Sequence, residues 1–292
     1  MKQVTIVGLG LIGTSLGLAL KQLKNPPRVI GNDVQYDAAT RASKLKAVDR
    51  AERNLQDAVP GADLVVIATP VSAIPAVLRA AASVFASGCV VTDTGSTKRE
   101  VVRLAQEVLP PSVSFVGGHP MTGKATGGVE EPDASLFRDI VYCLTPIAAT
   151  PGPAVATVAS MVQQIGASPY FVDPAEHDGL VAGISHLPYL LSATLMRVLA
   201  SEMSWREMSD LAAGGFELAT RLAGRDPKMY ADILATNSDN LVRYLDRMLA
   251  ELATARDKLA SGQPRLVAEL EDAQKKRLEW EEKRRREQEA RR

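Results

Sequence analysis

Three observations predict an α/β fold in which an N-terminal doubly wound domain is followed by an all-helical domain. A β-branched run turns through three spaced glycines, Gly8, Gly10 and Gly13, into an apolar helical stretch. Strand and helix patterns then alternate as far as residue 172, which indicates a mainly parallel sheet. Beyond that point strand patterns end and long helical runs follow. We therefore expect a doubly wound domain over residues 1–172, a helical domain over 173–262 and a charged helical tail over 263–292.

The glycine turn at the N-terminus is typical of a Rossmann dinucleotide site. A strand must turn sharply at Gly8, the backbone must come close to a pyrophosphate at Gly10, and Gly13 lets the helix pack on the strand. A helix that starts near Leu11 offers unpaired N–H groups and the positive end of its dipole to the phosphates. The alternative is a tight turn that binds nothing. The predicted cofactor contacts in this turn are Gly8, Leu9, Gly10, Leu11, Ile12 and Gly13.

Asp33 indicates which cofactor is used. It ends the next strand pattern, 20 residues after Gly13. An acid there accepts hydrogen bonds from the adenosine ribose diol and repels a 2′-phosphate, so NAD is favoured. Arg41 and Lys44 leave NADP as the alternative. Asp33 could also simply open a turn or cap the following helix.

The later strand patterns place further loops at one edge of the sheet. Strands are predicted at 62–69, 89–93, 114–117, 140–145 and 169–172, and helices at 72–83 and 155–165. Ligands of open α/β sheets bind at the loops that follow the carboxyl ends of the strands. This rule predicts cofactor contacts at Thr69, Pro70, Val71 and Asp93.

Composition narrows the class of protein. The chain of 292 residues is 46% hydrophobic and 23% charged, with zero net charge, so nucleic acid and anionic membranes are not expected as main partners. Cys89 and Cys143 fall in strand patterns and are expected to be core thiols of a reducing compartment, the cytoplasm. The longest apolar stretch, residues 187–200, contains Pro188 and Arg197 and is expected to be too short to span a bilayer. Because the first strand pattern begins almost at once, we expect no signal peptide, and no metal site is predicted.

Two loops at the ligand edge carry candidate chemistry. In the first, residues 93–98, Ser96 and Lys98 could face a substrate, or Ser96 or Thr97 could merely cap the next helix. The second, residues 117–128, is dense in glycine and contains His119. An imidazole accepts a proton near neutral pH, so His119 is a general-base candidate, and the alternative is a hydrogen-bonded filler.

The helical half adds a histidine and an arginine. His186 lies in Ser185-His-Leu-Pro-Tyr189, where the proline is expected to kink the helix and aim side chains at the cleft. Arg221, which follows Gly214-Gly-Phe-Glu-Leu-Ala-Thr, offers a planar fork for a carboxylate.

Taken in order, these motifs resemble those of the prephenate/arogenate dehydrogenase family. The matching segments are Gly8–Gly13, Asp93–Lys98, Gly118–Gly123, His177-Asp178, Ser185–Pro188, Gly214–Phe216 with Thr220-Arg221, and Asp226-Pro227. Their order and spacing, up to about Leu259, carry the resemblance. It implies a cyclohexadienyl dehydrogenase of tyrosine biosynthesis. We expect NAD-dependent oxidative decarboxylation of prephenate to 4-hydroxyphenylpyruvate, with arogenate dehydrogenase, using NAD or NADP, as the alternative.

The resemblance also implies roles for single residues. His119 takes the proton of the substrate's C4 hydroxyl as hydride leaves, and Ser96 hydrogen-bonds that hydroxyl and helps to hold the imidazole. Arg221 holds a substrate carboxylate, and His186 lies in the substrate wall. Lys124, just past the His-Pro motif, is a further carboxylate candidate that we add from its position.

The chain departs from the family pattern in two places. Tyr189 stands where many members have a second histidine, and we expect it to contact the substrate. Ala125 stands where the usual acid lies, six residues after His119. Both changes bear on carboxylate recognition and leave the hydride chemistry intact. For a substrate with an amino group, Asp226 is a possible partner, although an Asp before Pro is commonly a helix cap.

The helical half also predicts self-association. Its first run carries a broad apolar face at Leu180, Ile184, Leu187, Leu191 and Leu195, more than one small bundle needs to bury. We therefore expect a homodimer, which the resemblance also implies. The charged tail has i,i+4 pairs such as Glu271/Lys275 and is expected to be a solvated helix.

Two other classes of function are kept open: another two-domain NAD(P)-dependent dehydrogenase or reductase, and a nucleotide-binding sensor without turnover.

Overall fold

The computed structural model describes residues 1–122, 131–261 and 266–290. The chain divides into two compact units, Met1–Ser238 and Asp239–Arg292. The first unit contains the sheet with its covering helices and a run of further helices. The second contains two long helices.

The described strands of the first unit form one twisted sheet. They are β1 (Gln3–Val7), β2 (Arg28–Asn32), β3 (Arg50–Glu52), β4 (Leu64–Ile67), β5 (Val90–Asp93), β6 (Ser114–Pro120), β7 (Val141–Thr145) and β8 (Ser168–Phe171). Their order is β3-β2-β1-β4-β5-β6-β7-β8. All neighbours are parallel except β6 and β7, which are antiparallel. From β1 the chain adds β2 and β3 on one side of the sheet, and it then returns to add β4 and the later strands on the other side of β1. The predicted doubly wound architecture is therefore confirmed.

Helices cover both faces of the sheet because the central strands bury both. In β4, Leu64 and Val66 pack into one core cluster, and Val65 and Ile67 pack into the other. The helices that supply the covering side chains are α1 (Leu11–Lys21), α2 (Tyr36–Lys44), α3 (Leu55–Ala58), α4 (Ile74–Ala81), α5 (Arg99–Val108) and α6 (Gly152–Gln164).

The C-terminal part is helical, as the loss of strand patterns predicts. Within the first unit it comprises α7 (Pro174–Val181), α8 (Leu187–Ala200), α9 (Trp205–Leu211), α10 (Gly214–Thr220) and α11 (Pro227–Thr236). The second unit comprises α12 (Ser238–Ala260) and α13 (Val267–Ala290), and α13 is the expected charged tail helix.

The helical run through α7 and α8 is longer than the sequence pattern indicates. A π-helical turn, Ala182–His186, joins the two helices, and Pro188 sits in the first turn of α8 without breaking the run. By length and composition the 27 residues Pro174–Ala200 could cross a membrane, so the expectation that the stretch is too short is wrong. The run nevertheless carries buried His177, Asp178 and His186, whose hydrogen bonds to protein groups are typical of an interior helix.

Two local features differ from the sequence patterns. The stretch after β2 contains α2, the short β3 and α3, which have too few apolar residues to stand out. His119 was expected in a loop, but it belongs to β6, where it pairs with Cys143 of the antiparallel neighbour β7. A strand position fixes His119 more firmly than a loop would.

Candidate functional site

The glycine turn has the geometry of a phosphate cradle. Gly8 has a φ of +96°, and a Cβ there would lie 2.6 Å from the carbonyl oxygen of Ala68. A Cβ on Gly13 would lie 1.9 Å from the oxygen of Gly8, so α1 packs directly against the turn. A Cβ on Gly10 would meet no atom of the described residues within 4 Å. Close approach of a ligand to the backbone is therefore possible at Gly10.

The N-terminus of α1 is available to an anion. The helix begins at Leu11 with Gly10 as its N-cap, no side chain caps it, and its first turn has no acid. Its first N–H groups are thus without an intrahelical partner, at the positive end of the dipole. Leu11 and Ile12 are half-buried there, whereas the Leu9 side chain is fully buried and can contribute only its backbone.

Asp33 stands next to this turn. Its Oδ2 accepts a hydrogen bond from the backbone N–H of Leu9 at 2.6 Å, and its Oδ1 accepts one from Gln35 at 2.7 Å. The carboxylate is half-buried and keeps free lone pairs. The predicted turn-forming role and the predicted ribose-binding role are therefore compatible in one side chain.

The loop after β4 lies against the glycine turn. The hypothetical Cβ of Gly8 would also contact the backbone of Thr69 at 2.9 Å, which brings the two loops together. Thr69 is half-buried, Pro70 is exposed, and Val71 is buried in a 3₁₀ turn. Two of these three predicted contacts are thus reachable from outside.

Asp93 and Lys98 form a fully buried ion pair, which corrects two expectations. Both side chains have 0% exposure, and the Lys98 ammonium donates to Asp93 and, at 2.8 Å, to the carbonyl of Gly118. The second Asp93 oxygen accepts from the N–H of Gly118 at 3.0 Å. Because neither group reaches solvent, the Asp93 side chain does not contact the cofactor and Lys98 does not face the substrate. Together they bind the backbone C=O and N–H of Gly118, the residue before His119 in β6.

His119 is the first of a row of three connected side chains. Its Nδ1 lies 3.0 Å from Nε2 of His177, with the two rings edge to face at 71°. Nδ1 of His177 lies 2.8 Å from Oδ1 of Asp178. Asp178 also accepts from the backbone N–H groups of Lys98 and Arg99, at 2.7 and 2.9 Å, at the start of α5. The row therefore joins the helical part to the sheet edge.

The surroundings of His119 keep its imidazole neutral. Burial lowers the pKa of His119 well below its usual 6.5. The neighbouring His177, Lys98 and His186 lower it further, because a positive charge on any of these side chains disfavours a second positive charge on His119. The residue is nevertheless partly exposed. A neutral imidazole that a ligand can reach meets the requirement for a general base.

Ser96 lies close in sequence to the buried pair but has a different status. It is half-buried, and within the described residues its side chain makes no hydrogen bond. The imidazole of His119 is therefore held by His177 in this structure, not by Ser96 as the family resemblance implies. The Ser96 hydroxyl remains available to a substrate hydroxyl.

His186 is a buried neutral histidine. Burial lowers its pKa to about 4, with His177 adding to the effect and Asp178 opposing it. Its Nδ1 lies 3.2 Å from Nδ2 of Asn237, which also donates to the backbone oxygen of Asp178 at 2.7 Å. His186 has only 1% exposure, so it supports the wall of the site and does not itself form the surface.

Tyr189 and Arg221 meet around Tyr230. The rings of Tyr189 and Tyr230 stack in parallel, with 3.6 Å between their centroids. Burial raises the pKa of Tyr230, Arg225 and Arg221 lower it, and Tyr189 raises it, so both arginines lie within electrostatic range of the Tyr230 hydroxyl. Among the described residues Arg221 has no hydrogen-bond or ion-pair partner. A half-buried arginine without a partner is a suitable receptor for a carboxylate.

Helix α11 docks on the sheet-edge loops through polar contacts. Thr236 and Thr97 share a hydrogen bond of 3.0 Å, and Ser72 donates to Asp232. Asp226 is the N-cap of α11 and accepts from Lys228 at 2.8 Å, so the helix-cap interpretation of this residue is correct. Lys124 lies outside the described residues.

Sequence reasoning missed three members of the site. His177 and Asp178 entered only as part of a motif, and Asn237 did not enter at all. The available signal was an adjacent His-Asp pair in the first turns of an otherwise apolar helix, because a buried charged pair is costly unless it has partners. Those partners lie 58 to 80 residues away in the chain and could not be identified from spacing.

Comparison with known proteins identifies relatives of both parts of the chain. Residues 16–170 match the family model for the nucleotide-binding domain of prephenate dehydrogenase, and residues 173–272 match the model for its dimerization domain. A prephenate dehydrogenase of Bacillus subtilis is 37% identical over 93% of this chain and 71% of its own length. A cyclohexadienyl dehydrogenase of Zymomonas mobilis is 33% identical over 95% of both chains.

A solved structure shows the same fold. Prephenate dehydrogenase from Aquifex aeolicus, in complex with hydroxyphenyl propionate and NAD+, superimposes with a TM-score of 0.87 at 27% identity, over 96% of this chain and 98% of that one.

Proposed function

The chain belongs to the prephenate dehydrogenase family, and we propose that it catalyses the NAD-dependent oxidative decarboxylation of prephenate to 4-hydroxyphenylpyruvate. The observation that carries the proposal is the neutral, supported imidazole of His119 at the sheet edge that also bears the glycine turn. A hydride acceptor and a proton acceptor at one edge are the two requirements for oxidising an alcohol.

The residues present fit a dinucleotide. The open face of Gly10, the uncapped start of α1 and the adjacent Asp33 would hold the pyrophosphate and the adenosine ribose. When bound, NAD accepts the hydride. An acid in the position of Asp33 disfavours the 2′-phosphate of NADP, which supports NAD as the cofactor.

His119 would manage the proton of the reaction. As the hydride leaves C4 with its bonding electrons, Nε2 of His119 takes the proton of the C4 hydroxyl, and Ser96 can hydrogen-bond that oxygen. The bond from the ring to its carboxylate then breaks, carbon dioxide leaves, and the electron pair completes the aromatic ring. The new phenolate oxygen takes the proton back from His119, so the reaction releases no net proton.

Carboxylate recognition falls to the helical half in this proposal. Arg221 has no partner in the described chain and lies near Tyr230, on which Tyr189 stacks. The guanidinium can bind one substrate carboxylate through two parallel hydrogen bonds. Lys124 stays a candidate for the other carboxylate.

Arogenate is the alternative substrate, since it differs only in carrying an amino group in place of the keto group. The acid best placed in sequence to bind that amino group is Asp226. Its Oδ1 is already used to cap α11 and accepts from Lys228 and Met229. This use of Asp226 favours prephenate.

The direct test is a spectrophotometric assay of reduced cofactor. Prephenate and arogenate are each supplied with NAD and with NADP. We expect the fastest rise in absorbance with prephenate and NAD. Absence of a rise in all four combinations would refute the proposed function.

The base is tested with His119→Asn, for which we expect kcat to fall by about 10²-fold or more. Ser114→Ala, at the far end of the same strand, is the control. The pKa of His119 is lowered and its neutral form is the active one. Wild-type kcat/KM should therefore stay level as the pH falls through 6.5 and drop only well below it. If His119→Asn binds NAD normally and its kcat equals that of the wild type, His119 is not the general base.

We also propose that the protein is a cytoplasmic homodimer joined by its helical part. The matched dimerization model covers residues 173–272, and Leu180 and Ile184 of the helical run are 46% and 71% exposed. Apolar side chains exposed in this way are typical of an association surface. The free, buried Cys89 and Cys143 fit a reducing compartment. Zero net charge favours neither nucleic acid nor an anionic membrane as a partner.

A further inference from the structure

The row of side chains behind His119 has one consistent arrangement of protons. Both oxygens of Asp178 accept backbone N–H groups, so the carboxylate acts as an acceptor, and Nδ1 of His177, 2.8 Å from Oδ1, must carry a proton and donate it. In a neutral His177 the other nitrogen, Nε2, is then an acceptor. It lies 3.0 Å from Nδ1 of His119, which must therefore be the donor.

Resting on the proposed function, we propose that His177, oriented by Asp178, is a positioning residue for catalysis. It holds His119 with its proton on Nδ1 and a free electron pair on Nε2. A general base needs this tautomer, because the nitrogen that faces the substrate must be unprotonated before the hydroxyl proton arrives. With the opposite tautomer, Nε2 of His119 would carry a hydrogen and could not accept one.

The row also supports the charge that forms during the reaction. When Nε2 of His119 takes the substrate proton, Nδ1 keeps its hydrogen and continues to donate to His177. The imidazolium thus retains an acceptor, with the Asp178 carboxylate behind it. This support opposes burial and the neighbouring Lys98 and His186, all of which lower the pKa of His119.

The arrangement is rigid because Asp178 is fixed from several sides. Its two oxygens accept from the backbone of Lys98 and Arg99, and Asn237 donates to its backbone oxygen. His177 and Asp178 have 1% exposure each, so water does not compete for these bonds. A ring held in this way loses little freedom when the substrate binds.

The first test reads the tautomer directly. Long-range proton–nitrogen NMR of the full-length protein, labelled with ¹⁵N histidine and without ligands, shows which ring nitrogens carry protons. The chain has three histidines, so assignment by substitution is direct. We expect His119 to be protonated on Nδ1 and unprotonated on Nε2. A His119 protonated on Nε2, as a doubly protonated His177 would impose, overturns the proposal.

The second test compares two substitutions of His177. His177→Gln keeps an acceptor oxygen at about the reach of Nε2, whereas His177→Phe keeps the bulk and removes the acceptor. We expect His177→Phe to lower kcat by about 10- to 10³-fold and to mix the tautomers of His119, with the KM for NAD unchanged. His177→Gln should recover most of the kcat and of the tautomer preference.

Equal kcat in wild type and His177→Phe, or equal losses in the Phe and Gln variants with intact thermal transitions, would contradict a positioning role. If His177→Phe does not fold, the wild-type tautomer and the Gln variant decide the question. The tautomer is read without substrate, so failure of the proposed activity would leave the NMR result standing, and the two failures are distinguishable.

Discussion

Asp33 follows β2 and Asp93 ends β5, both at the carboxyl ends of parallel strands, but the two differ in role because they differ in burial. Asp93 has no exposure and is paired with Lys98, so its carboxylate serves to hold the backbone of Gly118, next to His119 in β6. Removing one partner of such a pair leaves a buried charge and commonly costs about 3–5 kcal/mol. Asp33 is half-buried, its hydrogen-bond partners among the described residues are backbone N–H groups, and it can still accept from a ligand.

Cofactor selectivity should therefore depend on Asp33. Asp33→Asn keeps the size of the side chain and removes the charge that a 2′-phosphate would meet. We expect the KM for NAD to rise by about 10-fold or more, since a hydrogen bond to a charged group contributes about 1.5–3 kcal/mol, and the ratio of NADP to NAD turnover to increase. The measurement is steady-state kinetics with both cofactors.

Asp37→Asn is the matched control for Asp33, because Asp37 is an exposed acid in the first turn of α2 and makes no hydrogen bond in the described chain. An unchanged cofactor ratio in Asp33→Asn would show that this carboxylate does not face the ribose.

At the scale of elements, the junction of β1 and α1 separates packing from binding. A Cβ on Gly13 would overlap the carbonyl of Gly8, so Gly13→Ala must push α1 away from the strand. The new methyl of Gly10→Ala would meet no atom within 4 Å in the described part of the chain, so we expect its effect to come from the ligand that occupies the space.

We expect Gly13→Ala to lower the thermal transition as well as NAD affinity. Gly10→Ala should leave the free energy of unfolding within about 0.5 kcal/mol of wild type and still weaken NAD binding. Calorimetric unfolding with and without NAD measures both quantities. A Gly10→Ala variant that binds NAD normally would contradict the phosphate-cradle assignment.

The elements that could be predicted are those in which one residue pattern dominates. The buried strands β1, β2, β4 and β5 are β-branched runs, and the glycine turn and the loss of strand patterns after β8 are local signals. The antiparallel pairing of β6 with β7 is not local, because it depends on which strand lies beside which. The site divides in the same way: His119 stands out as a rare residue beside glycines, but its partner His177 is 58 residues away.

At the scale of the whole molecule, the nucleotide-binding part and the first helices behave as one compact unit, Met1–Ser238. The contacts of Asp178 with α5, of Thr236 with Thr97 and of Asp232 with Ser72 explain this. Catalytic groups from both parts are thereby held in one body. The domain limits at 172/173 and 262/263 stay a prediction, because two divisions of the chain differ. The family models cover residues 16–170 and 173–272, whereas the spatial contacts divide the chain after Ser238.

The second unit offers a test of dimerisation. Four apolar side chains of α12 recur on one face and are more than half exposed: Val242, Leu249, Leu252 and Leu259. We expect the molar mass of the wild-type protein, measured by light scattering, to be about twice the chain mass of 31.2 kDa. Leu249→Glu with Leu252→Glu should shift it toward a monomer, because two charges would be buried without partners. Thr254→Glu adds a charge on the opposite, exposed face and should leave the dimer intact.

A wild-type protein that is monomeric at micromolar concentration would rule out the homodimer. A Leu249→Glu/Leu252→Glu variant that stays dimeric would place the interface on the exposed face of the α7–α8 run.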